Sequence, residues 1–350
     1  MASSRDSSQS HGEHGANPDE FLFRGIHPLV RMGTASDRYA GWLGQIYSRE
    51  RFGKRITSRQ KTVGGKGFKE QTLPVESVEE YFRHFSVLEL DFTFYALLLD
   101  ERLEPTRTFR VLQSYRRHLS AGDRLILKVP QVIFARKLWR GGAFVENPDY
   151  LNPELFTRRF LEPVSQLLED SLTACIFEQE YLNKKERGSP SAFAADVGAF
   201  LERIPPDPRY HMEVRTEGLL REPYFEVLER FGVGQVFSHW SWLPSLKGQF
   251  QKGGQRFLNR GGQCVVRLMT PKGMRYEEAY SQAHPFDREI DGMMSPGMVE
   301  ETAGLMLAAA DKGVTANVII NNRAGGNAPV IAQKVSRRFS ERLSAKRGGL

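Results

Sequence analysis

Cysteine is scarce in this sequence, and long hydrophobic runs are missing. The 350 residues contain two cysteines, Cys175 and Cys264, each inside an apolar segment without a neighbouring base that would lower its pKa. We therefore expect buried, inert thiols in a reducing compartment. No apolar run approaches the roughly 18 residues that a membrane span needs, and the polar N-terminus lacks the apolar segment of a secretory signal. These features predict a soluble, cytoplasmic protein with no membrane partner.

The motifs of several common cofactor and metal sites are also missing. No strand pattern is followed by the Gly-x-Gly-x-x-Gly turn of dinucleotide-binding folds, and the glycine cluster at 64–67 lacks the strand–loop–helix setting of a phosphate-binding loop. No His-x-Glu, His-x-x-x-His or Cys-x-x-Cys spacing indicates zinc. The sequence therefore identifies no cofactor and no metal site, although an oxygen-ligand metal on Glu89, Asp91 or Glu178 stays open as an alternative.

Basic residues are in moderate excess. The chain is 40% hydrophobic and 26% charged, as in ordinary globular proteins, and its formal net charge is +7. Two basic, glycine-containing segments, 53–73 and 244–262, contribute to this excess, and we expect both to be surface insertions. A solvated loop is the simpler interpretation of each. The alternative is a pair of arms that attract nucleic-acid phosphates, but Phe68 is the single aromatic residue available for base stacking in the first segment, which weakens it.

The chain divides into a polar tail and one large domain. Residues 1–27 lack the apolar side chains needed to pack, so we expect a disordered tail. Residues 28–345 show eight strand patterns separated mainly by helical patterns, which favours a parallel sheet with helical crossovers. Eight such units in about 300 residues fit an α/β fold of the TIM-type (β/α)8 class; a doubly wound open sheet is the alternative. The predicted strands are 29–35, 87–95, 124–130, 173–179, 210–215, 234–239, 264–269 and 314–320.

Ionisable residues recur at the predicted C-terminal ends of these strands, where the active sites of such barrels lie. Alternate side chains of a strand share a face, so Glu89 and Asp91 should point the same way, as should Glu213 and Arg215. Acids and bases of the set nearly balance, as enclosed charges must. The candidate catalytic residues are Glu89, Asp91, Lys128 and Glu213, and the candidate ligand-binding residues are Thr34, Tyr95, Glu178, Arg215, His239, Arg267, Asn321 and Asn322.

Individual roles follow from side-chain chemistry. Glu89 or Glu213 suits general acid or base catalysis, with a pKa moved by burial and by neighbouring charges. Lys128 among acids should stay protonated, so charge balance is preferred to a Schiff-base role. Arg215 and Arg267 suit two-point binding of a carboxylate or phosphate. The alternative for the whole set is a salt-bridge network that only stabilises the barrel interior.

The same strand ends resemble the motifs of a known family, domain of unknown function 72, also called YecE-like, over roughly residues 30–328. The resemblance implies a TIM-type barrel whose biochemical role is not established. It also shows departures, because Asp91 stands where the family usually has Asn, and Thr216 and Met269 stand where it usually has His. The matching segments are Gly33-Thr34-Ala35-Ser36 with Trp42, Gly44 and Tyr47, then Glu89-Leu90-Asp91-Phe92-Thr93-Phe94-Tyr95, Leu127-Lys128-Val129-Pro130, Glu213-Val214-Arg215, Val266-Arg267-Leu268, and Asn321-Asn322 with Gly326 and Ala328.

Three functions stay open on this basis. The leading hypothesis is a hydrolase or lyase that uses acid–base chemistry on a small anionic ligand in a charged pocket. The second is metal-assisted cleavage of nucleic-acid phosphodiesters, in which segments 53–73 and 244–262 straddle the substrate. The third is a binding or scaffolding barrel without catalytic activity.

Overall fold

Eight parallel strands close into a barrel. The computed structural model describes residues 17–186 and 188–348. The barrel order is β1-β12-β11-β10-β9-β8-β5-β4, and β4 pairs back to β1, so no edge is left open. This arrangement confirms the predicted (β/α)8 fold. The strands are β1 Val30–Ala35, β2 Thr57–Val63, β3 Lys66–Thr72, β4 Val87–Leu90, β5 Arg124–Lys128, β6 Lys137–Arg140, β7 Ala143–Glu146, β8 Leu172–Gln179, β9 Tyr210–Val214, β10 Gly234–His239, β11 Gln263–Leu268 and β12 Thr315–Ile320.

Helices surround the barrel, and several begin where the sequence supplies a capping residue. The side chain of Ser189 accepts from the Ala192 amide just before Pro190, the first residue of its helix, and Thr106 accepts from the Phe109 amide in the same way. The helices are α1 Arg49–Phe52, α2 Val78–His84, α3 Arg107–Arg116, α4 Gln131–Phe134, α5 Pro153–Phe156, α6 Glu162–Leu168, α7 Pro190–Arg203, α8 Glu222–Phe231, α9 Leu246–Lys252, α10 Tyr276–Ala283, α11 Met298–Asp311 and α12 Ala328–Gly348.

Within residues 17–186 and 188–348, no helix combines the length and the apolar character that crossing a membrane requires. The two cysteines are buried and unpaired with each other, as expected. Burial raises the pKa of each thiol to about 12, which makes both poor nucleophiles at neutral pH.

Alternation along the strands builds the barrel interior in layers. A cluster of buried apolar residues that includes Val87, Ile126, Ile176 and Val265 fills one level. The residues two positions further along these same strands are Glu89, Lys128, Glu178 and Arg267, so period-two alternation places a charged layer directly above the apolar one. The side chains of the opposite parity pack against the helices in the main hydrophobic core.

The strand that carries Glu89 is shorter than expected. It ends at Leu90, and residues Asp91–Tyr95 form a 3-10 turn. The hydroxyl of Thr93 donates to the Lys128 carbonyl oxygen at 2.8 Å, and this bond turns the chain away from the sheet. The prediction of a strand over 87–95 is therefore wrong beyond Leu90, and Asp91 owes its position to the turn rather than to strand alternation.

The basic segment at 53–73 is an ordered hairpin and not a loop. Strands β2 and β3 pair in antiparallel register across a Gly64–Gly65 turn, and both glycines have positive φ, at 56° and 76°, as a tight hairpin turn requires. Some of its cations are paired, since Arg59 and Lys61 both contact Glu70. The hairpin follows β1 and therefore lies on the C-terminal face of the barrel.

The second basic segment, 244–262, occupies a different place. It contains α9 and runs from the C-terminal end of β10 back to the N-terminal end of β11. Lys252 contacts Glu217, and Arg256 contacts Glu229 of α8. The two segments therefore do not straddle one site, because the second is a crossover along the outside of the barrel.

The expected N-terminal tail is partly ordered. Residues 1–16 lie outside the described part of the chain. From Asn17 onwards the chain packs on the barrel: Phe23 is fully buried, and Arg24 binds Asp123 at 2.8 Å. The expectation of disorder is thus wrong for residues 17–27, whose aromatic side chain supplies the apolar area that a packed segment needs.

Candidate functional site

Arg267 on β11 is the centre of a charged cluster inside the barrel. Its Nε and Nη2 atoms donate to the two carboxylate oxygens of Glu89 at 2.7 and 2.6 Å, the two-point geometry that guanidinium and carboxylate groups favour. Its Nη1 atom donates to Glu213 and, at 3.3 Å, to Glu178. Arg267, Glu89 and Glu213 are all fully buried, so strands β4, β8, β9 and β11 meet through one side chain.

Two further cations complete this cluster on the side of Glu178. Lys128 Nζ lies 2.5 Å from Glu178 Oε2, and Arg215 Nη2 donates to the same oxygen at 2.8 Å. Aromatic rings cover both cations: Phe94 lies 3.8 Å from Lys128, and the Trp240 ring centre lies 4.2 Å from Arg215. We call Glu89, Lys128, Glu178, Glu213, Arg215 and Arg267, together with Asp91 at their edge, the Arg267 network.

The network contains one more acidic residue than basic residues, and the pKa values of its carboxyl groups are shifted in different directions. Burial raises the pKa of Glu89 to about 8, helped by the nearby Asp91 and opposed by Arg267. Burial also acts on Asp91 and Glu178, but their cationic neighbours outweigh it. Lys128 and the neighbouring Glu89 carboxyl hold the pKa of Asp91 below its usual range, and Arg215 and Lys128 hold the pKa of Glu178 well below its usual range. Near neutral pH, Glu89 therefore keeps its proton while Asp91 is ionised.

A cavity of about 250 Å³ opens beside the network at the C-terminal face. Asp91 lines it, and the side chain of this residue keeps 29% of its surface exposed. Of the other sequence candidates, Tyr95 and Asn321 also line it. The rest of the network lies behind Asp91. The sequence therefore predicted that these charged residues cluster, but it did not predict which of them are exposed. We call this space, between the ends of β1, β4 and β12, the mouth cavity.

Several residues of the mouth cavity escaped the sequence analysis, among them Asp37, Arg38, Tyr276 and Arg323. Arg323 follows the Asn321–Asn322 pair, and its guanidinium stacks on the Tyr276 ring at 4.3 Å. Among residues 17–186 and 188–348, Arg323 makes no ion pair, and its buried Nε has no hydrogen-bond partner. The sequence feature that could have identified Arg323 is its position just after a strand, where the loops of such barrels form the active site.

Three sequence candidates lie away from the mouth cavity. The Thr34 hydroxyl donates to a backbone carbonyl oxygen of its own turn at 2.7 Å. His239 Nδ1 lies 2.9 Å from the Thr270 carbonyl oxygen, and burial lowers the pKa of this imidazole. Asn322 Oδ1 accepts from Trp42 Nε1 at 3.2 Å. These internal contacts correct the expectation that the three side chains face a ligand.

The donor set gives little support for a metal. In the part of the chain that the structure describes, no three His, Cys, Asp or Glu side chains are grouped so that they could hold a metal ion. The carboxylates of Glu89, Glu178 and Glu213 are already engaged by cations, which occupy the lone pairs that a metal would need.

Together, the fold and the charged cluster define a (β/α)8 barrel whose ionisable residues converge at the C-terminal ends of its strands. The chain belongs to the family described as protein of unknown function DUF72, whose profile matches residues 31–348. This result agrees with the motif resemblance in the sequence.

Two solved family members have a similar fold. A protein from Thermotoga maritima is 15% identical, with 90% of this chain and 99% of that chain covered and a TM-score of 0.53. A protein from Enterococcus faecalis is 15% identical, with 89% and 95% covered and a TM-score of 0.51. At this identity the likeness concerns the fold alone. No curated protein sequence matches the chain.

Proposed function

We propose that the protein binds a small anionic ligand in the mouth cavity and acts on it by acid–base chemistry, as a hydrolase or lyase. One observation carries the proposal: the ionised carboxylate of Asp91 lines the same cavity as the Arg323 guanidinium, which makes no ion pair within the described residues. Arg323 supplies a fixed positive charge for an anion, and its stacking on Tyr276 leaves the guanidinium edge available for hydrogen bonds. A volume of about 250 Å³ favours a small molecule.

The Glu89–Asp91 pair supplies the proton chemistry in this proposal. Asp91 is the member that reaches the ligand, and its lowered pKa leaves it ready to accept a proton. Glu89 keeps a proton behind it, because burial raises its pKa to about 8. Two carboxyl groups with pKa values moved in opposite directions provide an acid and a base at one pH.

The remaining predicted catalytic residues act as positioning residues. Lys128 and Glu213 do not line the mouth cavity; they contact Glu178 and Arg267. Arg267 in turn contacts both oxygens of Glu89, so the network fixes the position of Glu89 behind Asp91. Tyr95, which is 71% exposed, and Asn321 are the ligand contacts that we retain from the sequence.

The other hypotheses have less support. Hairpin β2–β3 lies at the mouth cavity, but 244–262 does not, so a nucleic acid would meet one basic segment instead of two. A partner protein is favoured by exposed aromatic residues, among them the pair Trp139 and Phe144, whose rings lie 4.9 Å apart on hairpin β6–β7. A cytoplasmic location remains part of our proposal, supported by the two free, buried thiols.

Ligand binding is tested with inorganic phosphate and a panel of phosphorylated and carboxylated metabolites, by thermal shift and calorimetry. A ligand at 100 times its dissociation constant adds about 2.7 kcal/mol to the free energy of unfolding. Arg323→Leu should weaken binding at least tenfold, since a charged hydrogen bond contributes about 1.5–3 kcal/mol. Arg288→Leu is the matched control, because Arg288 is exposed and does not line the cavity.

Catalysis is tested separately on any ligand found. Asp91→Asn should keep binding within a few fold but abolish turnover, because the amide cannot accept the proton. Equal binding by wild type and Arg323→Leu, or no stabilisation by any anion, would contradict the proposed site. Full turnover by Asp91→Asn would leave the binding site intact and remove the acid–base mechanism.

A further inference from the structure

The mouth cavity holds a second buried carboxylate, Asp37, which the proposed mechanism does not use. Asp37 lies just after β1 and is 2% exposed. Its Oδ1 atom accepts from the Tyr115 hydroxyl at 2.8 Å, and its carbonyl oxygen accepts from the Tyr47 hydroxyl at 2.8 Å. Tyr115 thus fixes the side chain, and Tyr47 fixes the backbone of the same residue.

The other oxygen of Asp37 is unpartnered. Within residues 17–186 and 188–348, Asp37 Oδ2 is buried without a hydrogen-bond partner, and Asp37 lines the mouth cavity. Asp91 Oδ1 is also buried, but it lies 4.0 Å from Arg267 Nη2 and faces the Arg267 network, so the exposed part of this carboxylate is what the cavity meets. A buried acceptor without a donor costs about 1–3 kcal/mol, so Asp37 Oδ2 points to a ligand that provides a donor. Ionised carboxylates accept but cannot donate.

The charge around Asp37 indicates which donors fit. Arg38 follows it in sequence, lines the same cavity and already compensates its charge. Burial raises the pKa of Asp37 to about 6 against the effects of Arg38 and Tyr115, so the group is mainly ionised at pH 7. A neutral hydroxyl therefore suits Asp37 better than a second cation would.

The walls of the cavity combine aromatic rings with charged side chains. Tyr39, Tyr95, Tyr276 and Phe286 line it, and Arg323 stacks on one of these rings. Aromatic rings with fixed polar groups between them are common in small-molecule sites. Arg59 and Lys61 also line the cavity but are paired with Glu70. The polar groups left for a ligand include the acceptors Asp37 and Asp91 and the cation Arg323.

We infer that the ligand is a hydroxylated anion of the sugar phosphate or sugar acid class. Its hydroxyls donate to Asp37 and Asp91, and its acidic group binds Arg323. The inference rests on the proposed anion site and adds to it the chemical class of the ligand. Phosphate and carboxylate share the required chemistry, and the experiment separates them.

The test compares probes that differ only in their donors. Glycerol 1-phosphate and n-propyl phosphate carry the same charge, as do glycerate and propionate, and calorimetry with the wild-type protein at pH 7 gives each dissociation constant. The hydroxylated member of at least one pair should bind at least tenfold more tightly, as expected for hydrogen bonds to charged groups. The pair that shows the preference identifies the acidic group.

The Asp37→Asn variant assigns the preference to this residue. Asparagine keeps an oxygen for the Tyr115 hydroxyl but replaces the free acceptor with a donor, so the preference for hydroxyls should fall at least fivefold. The ratio is measured within one protein sample, so a change in the folded fraction does not affect it. Circular dichroism confirms the fold of the variant.

The outcomes separate the two levels of the proposal. Equal binding of both members of each pair would overturn the hydroxyl inference and leave the anion site standing. Tighter binding of phosphoethanolamine than of glycerol 1-phosphate would replace hydroxyls with an ammonium group and also overturn it. If no probe binds, the proposed function and this inference both fail. An unchanged preference in Asp37→Asn would remove Asp37 from the site.

Discussion

Replacing Arg267 with methionine removes the cation that contacts three buried carboxylates at once. In the described chain, Arg267 forms the ion pair of Glu89, so this carboxyl group would be left without a counter-charge. Glu178 and Glu213 keep Arg215, at 2.8 and 3.7 Å. Removing one partner of a buried ion pair costs about 3–5 kcal/mol. We expect a loss of this size in the free energy of unfolding at pH 8.5, measured by urea denaturation.

The loss should depend on pH in a defined direction. In the wild-type protein, burial raises the pKa of Glu89 from about 4.5 to about 8, so the stability this proton contributes is present below pH 4.5 and lost as pH rises through 8. Without Arg267, which lowers this pKa, the proton binds still more tightly. The variant should therefore lie closer to wild type at pH 5.5, where Glu89 is protonated in both proteins, than at pH 8.5.

Two controls make this result interpretable. Arg256→Met removes an exposed arginine that pairs with Glu229 and should change stability by less than about 1 kcal/mol. Adding Glu89→Met to Arg267→Met removes the orphaned acid and should recover part of the loss. The reasoning would be refuted if Arg267→Met differed from wild type by less than 1 kcal/mol at pH 8.5, or if its deficit grew as pH fell.

Three further perturbations follow from the same structure. Glu178→Gln should cost about 3 kcal/mol in urea unfolding at pH 7, because this ionised carboxylate contacts three cations; a loss smaller than 1 kcal/mol would contradict its role. Gly33→Ala should strongly destabilise the barrel, because the new Cβ would lie 1.9 Å from a carbonyl oxygen of the neighbouring strand. Gly67→Ala is the control and should leave the stability unchanged, because the space around Gly67 is open. Thermal unfolding of the two variants measures the difference. Tyr115→Phe should raise the pKa of Asp37 above about 6, since it removes a hydrogen bond that lowers this pKa. Carbon NMR titration of the carboxyl measures the pKa, and an unchanged value would contradict the effect of Tyr115.

The sequence predicted the barrel and the charged layer for one physical reason. Parallel strands are buried on both faces and read as short apolar runs, and alternation then assigns every second residue to the interior. Glu89, Lys128, Glu178 and Arg267 follow inward-facing apolar residues by two positions. Their meeting inside the barrel was therefore predictable.

The sequence could not predict how deeply each charged side chain is buried or how the loops are arranged. Glu89 and Glu213 are sealed, whereas Asp91 is not, because a side-chain bond from Thr93 ends the strand at Leu90. No local sequence pattern predicts such a hydrogen bond. Asp37 was missed for a related reason, since the Tyr115 hydroxyl that fixes it comes from 78 positions further along the chain.

The chain order of the Arg267 network has a consequence for how the protein is synthesised. Glu89, Glu178 and Glu213 all emerge from the ribosome before Arg267 does. A nascent chain that ends before β11 therefore holds interior acids that lack their shared cation, so the half-made barrel cannot close without cost. The interior acids obtain their shared cation only with the seventh barrel strand, β11, and the barrel closes with the eighth, β12. A translation product truncated before β11 should therefore be a substrate for chaperones or proteases instead of a stable half-barrel.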